Sequence, residues 1–165
     1  MPRSFRIRPA RKDDLDELIA LEESTFDYDR ISRAQWRRHL CGGSASVLVA
    51  EQAGGLPGCV LLFFRRGSGT ARLYSLAIRR DARGQGLGAA LLESAEEEAR
   101  ARGCGAMRLE VRPDNAAAIA LYEKRGYTRG ERVAGFYEDG MDAWRYRKTL
   151  TSRRGIEDFK DIRGT

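Results

Sequence analysis

The sequence predicts one α/β domain with a mixed central sheet of about seven strands and helices on both faces. Three observations predict it. The chain has 165 residues, of which 42% are hydrophobic and 33% charged, enough for one soluble domain with a sizeable core. Apolar runs of strand length alternate with segments of helical period in the order β-αα-βββ-α-β-α-ββ. Tight-turn signals join the first and last groups of strands, so antiparallel hairpins flank a central β-α-β unit whose two strands run parallel.

The elements follow in order. "SFRIRPA" alternates Phe5 and Ile7 with arginines and reads as a short strand. "DDLDELIALEES" places Leu15, Leu18, Ile19 and Glu22 at helical spacing, opened by Asp13 or Asp14. "ISRAQWRRHL" is a second helix, opened by a Ser32–Gln35 capping box. "SVLVAEQ" and "GCVLLFFRR" are strands joined by a hairpin turn at "AGGLPG", and "ARLYSLAI" follows the "GSGT" turn. The helix after "RRDARGQGLG" closes at Gly103. "AMRLEV" is a strand, "AAAIALYEKRG" a helix closed by Gly126, and "YTRGERVAGF" and "MDAWRYRKTL" are two final strands around "YEDG". The domain is placed at residues 4–150, with a charged tail at 151–165.

Composition excludes several classes. No stretch approaches the roughly 20 apolar residues of a membrane span, and "MPRSFRIRPARKDD" lacks the apolar core of a signal peptide. A cytoplasmic protein without membrane attachment is expected. Cys41, Cys59 and Cys104 are widely spaced and His39 is the single histidine, which argues against a disulfide framework and a metal site. His39 is expected as a solvated cation at a helix end. The net charge of +6 is carried mostly by arginines spread along the chain. That balance suits an anionic cofactor and makes nucleic acid a minor alternative.

Gly84, Gly86 and Gly88 open the central helix, with Arg79, Arg80 and Arg83 before them and no acid until Glu93. A helix start leaves about four N–H groups unpaired and carries partial positive charge. Leaving it without a capping side chain makes a cradle for a phosphate or pyrophosphate. The stretch formally matches the dinucleotide pattern GxGxxA, with Glu110 further on, but "RRDAR" separates it from its strand and the unit comes late in the chain. No GxxxxGK[ST] phosphate loop is present.

Arg83-x-x-Gly86-x-Gly88 after a strand resembles the cofactor motif of the GCN5-related N-acetyltransferases, the GNAT family. "LEVRPDNAAAIALYEKRGY" and "FYEDGMDAWRYRKTL" resemble further blocks of that family, and its branch that acetylates protein N-termini, typified by ribosomal-protein-alanine acetyltransferase. The resemblance implies acetyl-CoA as co-substrate and no metal. It implies cofactor contacts at Arg83, Gly84, Gln85, Gly86, Leu87, Gly88 and Ala89, main-chain contacts at Leu76, Ala77 and Ile78, and a contact at Asn115. The acceptor it implies is the N-terminal α-amine of a peptide or protein. A small amine, or a non-catalytic acyl-CoA-binding domain, are the alternatives; a homodimer is compatible with either.

Acetyl transfer to an amine needs a neutral nucleophile, stabilisation of the developing oxyanion and a proton for the leaving thiolate. In "MRLEV", Glu110 shares a strand face with Arg108 and Arg112. Spacing alone allows an ion pair as readily as a base, and the resemblance implies the base. Tyr122 lies two helical turns from Asn115. Periodicity alone allows a core tyrosine, and the resemblance implies the general acid. Glu22, Glu23, Asp27 and Asp29, with Phe26 and Tyr28, are candidates for attracting a cationic acceptor, or only a solvated helix end. Tyr137, Glu138 and Asp139 form the opposite wall or only a hairpin turn. The ribosomal branch has a Pro-Trp pair where this chain has "FDYDR", with Trp36 coming later.

Overall fold

The computed structural model describes residues 4–151. Seven strands form one sheet in the order β1-β2-β3-β4-β5-β7-β6. They are β1 (Arg6–Pro9), β2 (Ala45–Gln52), β3 (Gly55–Phe63), β4 (Thr70–Ile78), β5 (Ala106–Val111), β6 (Thr128–Val133) and β7 (Ala143–Thr149). Every neighbouring pair is antiparallel except β4 and β5. The helices are α1 (Leu15–Thr25), α2 (Arg33–Cys41), α3 (Leu87–Ala101) and α4 (Ala116–Lys124). The tail expected at 151–165 lies, beyond Thr151, outside the described residues.

Local signals explain the boundaries. Ser32 Oγ accepts from the Gln35 amide at 3.2 Å and Gln35 Oε1 accepts from the Ser32 amide at 2.8 Å, closing the capping box of α2. α3 ends where Gly103 adopts φ 82° and the Cys104 amide donates to the Ala99 carbonyl at 2.9 Å. β3 starts earlier than its sequence suggests. Leu56 and Pro57 bulge opposite Glu51, between the pairs Gln52↔Gly55 and Ala50↔Gly58. A bulge is where a strand tolerates a proline, because no ladder donor is needed there.

The two faces of the sheet are buried differently. α3 and α4 pack one face around Leu62, Met107, Leu109, Leu91, Leu92 and Tyr146. α1 and α2 cover only the N-terminal half of the other face, over Val47, Val49, Leu61 and Ala77, with Leu18 and Trp36 at 0% exposure. Beyond β4 that second face carries Arg108, Arg145 and Arg147, half-buried to exposed. His39 does not sit as a solvated cation: its ring packs 4.9 Å from Phe63, and burial lowers its pKa. Cys59 and Cys104 are buried with their thiols pushed up by burial, while Cys41 at the end of α2 is exposed.

Candidate active site

Two departures from regular sheet build the site. The β4–β5 ladder runs from Thr70↔Ala106 only to Leu73↔Leu109, while β4 continues beside β3 to Ile78↔Gly58. The parallel strands therefore part after Leu73, leaving the β5-facing backbone of Leu76, Ala77 and Ile78 outside the ladder. The second departure is a bulge at Tyr74, between the pairs Leu62↔Leu73 and Leu61↔Ser75. Ahead of it Ala71 and Leu73 face the α3 core; beyond it Leu76 and Ile78 do so and Ala77 turns to the α1 core. Arg72 and Tyr74, two residues apart on β4, share the open face by ordinary alternation, the Arg72 guanidinium 5.3 Å from the Tyr74 ring.

The glycine turn lies at the mouth of this split. After β4 a single 3-10 turn, Arg80–Ala82, leads to Gly84 and Gly86 at φ 85° and 80°. These left-handed values favour glycine, and a Cβ built at either position meets nothing within 4 Å. Gly86 caps α3 without a side-chain hydrogen bond, and the first turn holds no acid. The first helical bond runs from the Ala90 amide to the Gly86 carbonyl at 3.1 Å, so the amides of Leu87, Gly88 and Ala89 precede the ladder. This cradle fits a phosphate-bearing cofactor. Gly88 has a further duty: a Cβ there would come 3.2 Å from Leu121 Cδ2, so its absence lets α3 and α4 approach. Leu87 turns its side chain into the core, Gln85 Oε1 accepts from Gln52 at 2.9 Å, and Arg83 is exposed.

Glu110 sits on the open face of β5 with its side chain 4% exposed, inside a ring of arginines. Arg72 Nε lies 3.2 Å from Oε2; Arg145 and Arg108 lie 3.3 and 3.4 Å from Oε1. The ion pair that the strand pattern allowed is therefore formed. Oε2 meets Arg72 alone among these contacts, which leaves it a site to accept a proton from an amine or a water.

Tyr122 on α4 is 5% exposed, edge-on to Tyr127 at 5.7 Å, within the larger core cluster. Burial, and secondarily the nearby Tyr137, push its phenol well above the usual range. Tyr137 links the two candidates, because its own phenol, pushed up to about 12 mainly by burial, also feels the Glu110 charge. Asn115 caps α4, its Oδ1 accepting from the Ala118 amide at 3.2 Å, which leaves the amide nitrogen to other partners.

The acceptor walls meet across 109 residues of sequence. The Asp29 amide donates to Glu138 Oε2 at 3.3 Å, and the Glu138 amide donates to Asp29 Oδ1 at 3.1 Å. The α1–α2 loop is thus clasped to the β6–β7 loop. Arg112 braces the clasp: it pairs with Asp139, and its guanidinium lies 4.6 Å from the Tyr137 ring and 5.9 Å from Tyr28. Tyr28, Tyr74 and Phe136 are the large hydrophobic side chains left exposed among the described residues. Glu22 does not face this groove. It is 3% exposed, holds the Ile31 amide at 3.0 Å, and burial pushes its pKa up to about 7.

Sequence reasoning missed Arg72, Tyr74 and Arg145. Arg72 and Arg145 converge on Glu110 through strand register, and Tyr74 stacks beside Arg72; a strand's own alternation does not reveal which neighbours arrive. Among the described residues no group of three His, Cys, Asp or Glu side chains is placed to hold a metal, and no helix is long and apolar enough to cross a membrane.

The model of the Acetyltransferase (GNAT) family matches residues 12–127. The chain belongs to this family. Its GNAT fold is a single α/β domain with the seven-stranded mixed sheet and four helices described above. The chain is similar to an N-alpha-acetyltransferase of Saccharolobus solfataricus, 26% identical over 153 residues that cover 86% of this chain and 91% of that protein. Among solved structures it is similar to the ribosomal-protein-S18-alanine N-acetyltransferase from Escherichia coli, with TM-score 0.79, 28% identity and coverage of 89% and 94% of the two chains. The fold is also that of Arabidopsis thaliana NAA60 in complex with acetyl-CoA, with TM-score 0.79 at 19% identity and coverage of 88% and 98%. As a GNAT protein the chain is an N-acetyltransferase.

Proposed function

We propose that this acetyltransferase transfers the acetyl group of acetyl-CoA to the N-terminal α-amine of a peptide or protein. The observation that carries the reading is the clasped groove. Two loops joined through Asp29 and Glu138 stand over aromatic walls at Tyr28, Tyr74 and Tyr137, directly beside the split between β4 and β5. An extended chain end fits such a groove, and the names of the relatives support it.

Acetyl-CoA supplies an activated acyl group and a thiol leaving group. The open amides at the start of α3, from Gly86 to Ala89, and the exposed Arg83 hold its pyrophosphate. Leu76, Ala77 and Ile78 offer main-chain groups along the split, where preorganised N–H donors favour developing negative charge on an acyl oxygen. Glu110 takes the proton of the attacking amine, directly or through water, at the less engaged Oε2. Tyr122 gives the departing sulfur a hydrogen bond. Its burial makes full proton transfer from the phenol harder, so the hydrogen bond is its larger contribution. Asn115 orients the cofactor through its amide nitrogen.

The test is thiol release from acetyl-CoA against short peptides, N-terminally blocked peptides and free amines. Release with free N-termini alone is expected. Release with free amines but not with peptides would move the acceptor to the small-molecule class.

A further inference from the structure

The open face of the sheet carries an arrangement that stability alone does not select. Arg72 pairs in register with Arg108, and Arg108 with Arg147, so three strands place arginines side by side in one row. Like charges directly opposite each other in a sheet are destabilising. The next row holds Glu110 opposite Arg145. Three of the four guanidinium groups meet Glu110, and Arg145 also pairs with Glu131. Among the described residues Arg147 has no carboxylate partner; its contact is the Thr70 hydroxyl at 3.5 Å.

Several acids of the surrounding loops have partners of their own away from this row. Asp29 and Glu138 are spent on each other's backbone amides. Asp139 is held by Arg112, and Asp142 by Arg132 and the Gly135 amide. Glu22 is buried on the Ile31 amide. Of the carboxylates expected to attract a cationic acceptor, Glu22 and Asp29 hold backbone amides and Glu23 and Asp27 are exposed, while the floor keeps an excess of positive charge.

We propose that the acceptor is an acidic N-terminus, with Asp or Glu at its second or third residue seated on the Arg72–Arg108–Arg147 row. This rests on the peptide-acetyltransferase reading above. Rows two residues apart along a strand are separated by about 7 Å, the span of two residues of an extended peptide. A peptide with its α-amine at Glu110 that runs along β5 toward Arg108 brings its next side chains over the arginine row. Arginine suits the task, because its fork matches a carboxylate in two parallel hydrogen bonds.

The test compares three peptides that differ at the second and third residues only, carrying Glu-Glu, Ser-Ser or Lys-Lys. Turnover is read by thiol release, and binding by fluorescence anisotropy of the same peptides with CoA present. The Glu-Glu peptide is expected to exceed the Lys-Lys peptide at least tenfold in kcat/KM at low salt, through KM, with the ratio falling as salt rises. Arg147→Glu should cut that ratio at least threefold at unchanged melting temperature, and Arg147→Lys should retain most of it. Equal turnover of all three peptides, or preference for Lys-Lys, overturns the proposal while leaving the peptide reading standing. Preferential binding of Glu-Glu with no turnover of any peptide overturns the peptide reading instead. A short oligonucleotide that displaces the Glu-Glu peptide at lower concentration than unlabelled peptide does would reassign the row to nucleic acid and overturn the proposal.

Discussion

Glu110→Gln separates chemistry from scaffolding at the centre of the site. The side chain is 4% exposed and meets three guanidinium groups at 3.2–3.4 Å. A hydrogen bond to a charged group contributes about 1.5–3 kcal/mol when buried. The arginine partners are 28–38% exposed, so solvent screens each contact. Glutamine keeps the shape and one acceptor oxygen but leaves the clustered guanidinium groups less balanced. The expected net cost is about 2 kcal/mol, a fall of about 4–8 °C in melting temperature for a chain of this length.

Activity should respond differently. Loss of a general base costs about 100-fold or more where the amine is protonated. With an α-amine pKa near 8, about 3% of the acceptor is neutral at pH 6.5 and about 90% at pH 9. The deficit of the variant in kcat/KM should therefore narrow by at least tenfold between those pH values. Thiol-release kinetics across the range, with melting temperature followed in parallel, provide the readout. A deficit of the same factor at every pH refutes the base role and leaves Glu110 as a tether for arginines.

Four further outcomes follow from the geometry. Tyr122→Phe should lower kcat by about tenfold or more at unchanged acetyl-CoA affinity, measured by thiol release and calorimetry. Gly86→Ala places a Cβ on a residue at φ 80° and in the cradle; it should cost about 1–2 kcal/mol and raise the acetyl-CoA Kd in calorimetry. Glu96→Ala removes the shared acceptor of Lys148 and the Tyr127 hydroxyl at 2.7 and 3.2 Å, and chemical denaturation should show a loss of about 2–4 kcal/mol. Glu22 has its pKa raised in the folded protein from 4.5 to about 7, so the folded state binds the proton more tightly and stability declines as pH rises through that window. Glu22→Gln should match the parent in melting temperature near pH 4.5 and exceed it at pH 7.5.

The parts legible in the sequence were those whose cause is local. Gly84 and Gly86 marked an uncapped helix start, Ser32 and Gln35 a capping box, and the alternation of "MRLEV" put Glu110 opposite the core side of its strand. The parts that were not legible arise from register. Nothing in "ARLYSLAI" shows that Tyr74 is the bulged residue, yet that one insertion turns Leu76 and Ile78 to the α3 core and Ala77 to the α1 core. The acidic run at the end of α1 looked like a charged surface, but Glu22 turned inward because the Ile31 amide, nine residues on, needed an acceptor. Such pairings depend on which distant segment arrives, and a segment's own pattern does not record its neighbours.

The clasp between Asp29 and Glu138 also divides the chain by inheritance. The cofactor cradle, the split strands and the Glu110 cluster's central strand come from one uninterrupted stretch, residues 70–124. The acceptor groove is assembled from stretches on either side of it, joined across 109 residues. A nascent chain leaving the ribosome therefore completes its donor half while the acceptor half still waits for its last hairpin. Exchanging the two flanking loops as a matched pair offers a way to redirect such a domain to another acceptor without disturbing its grip on the acyl donor. Exchanging either loop alone breaks the clasp.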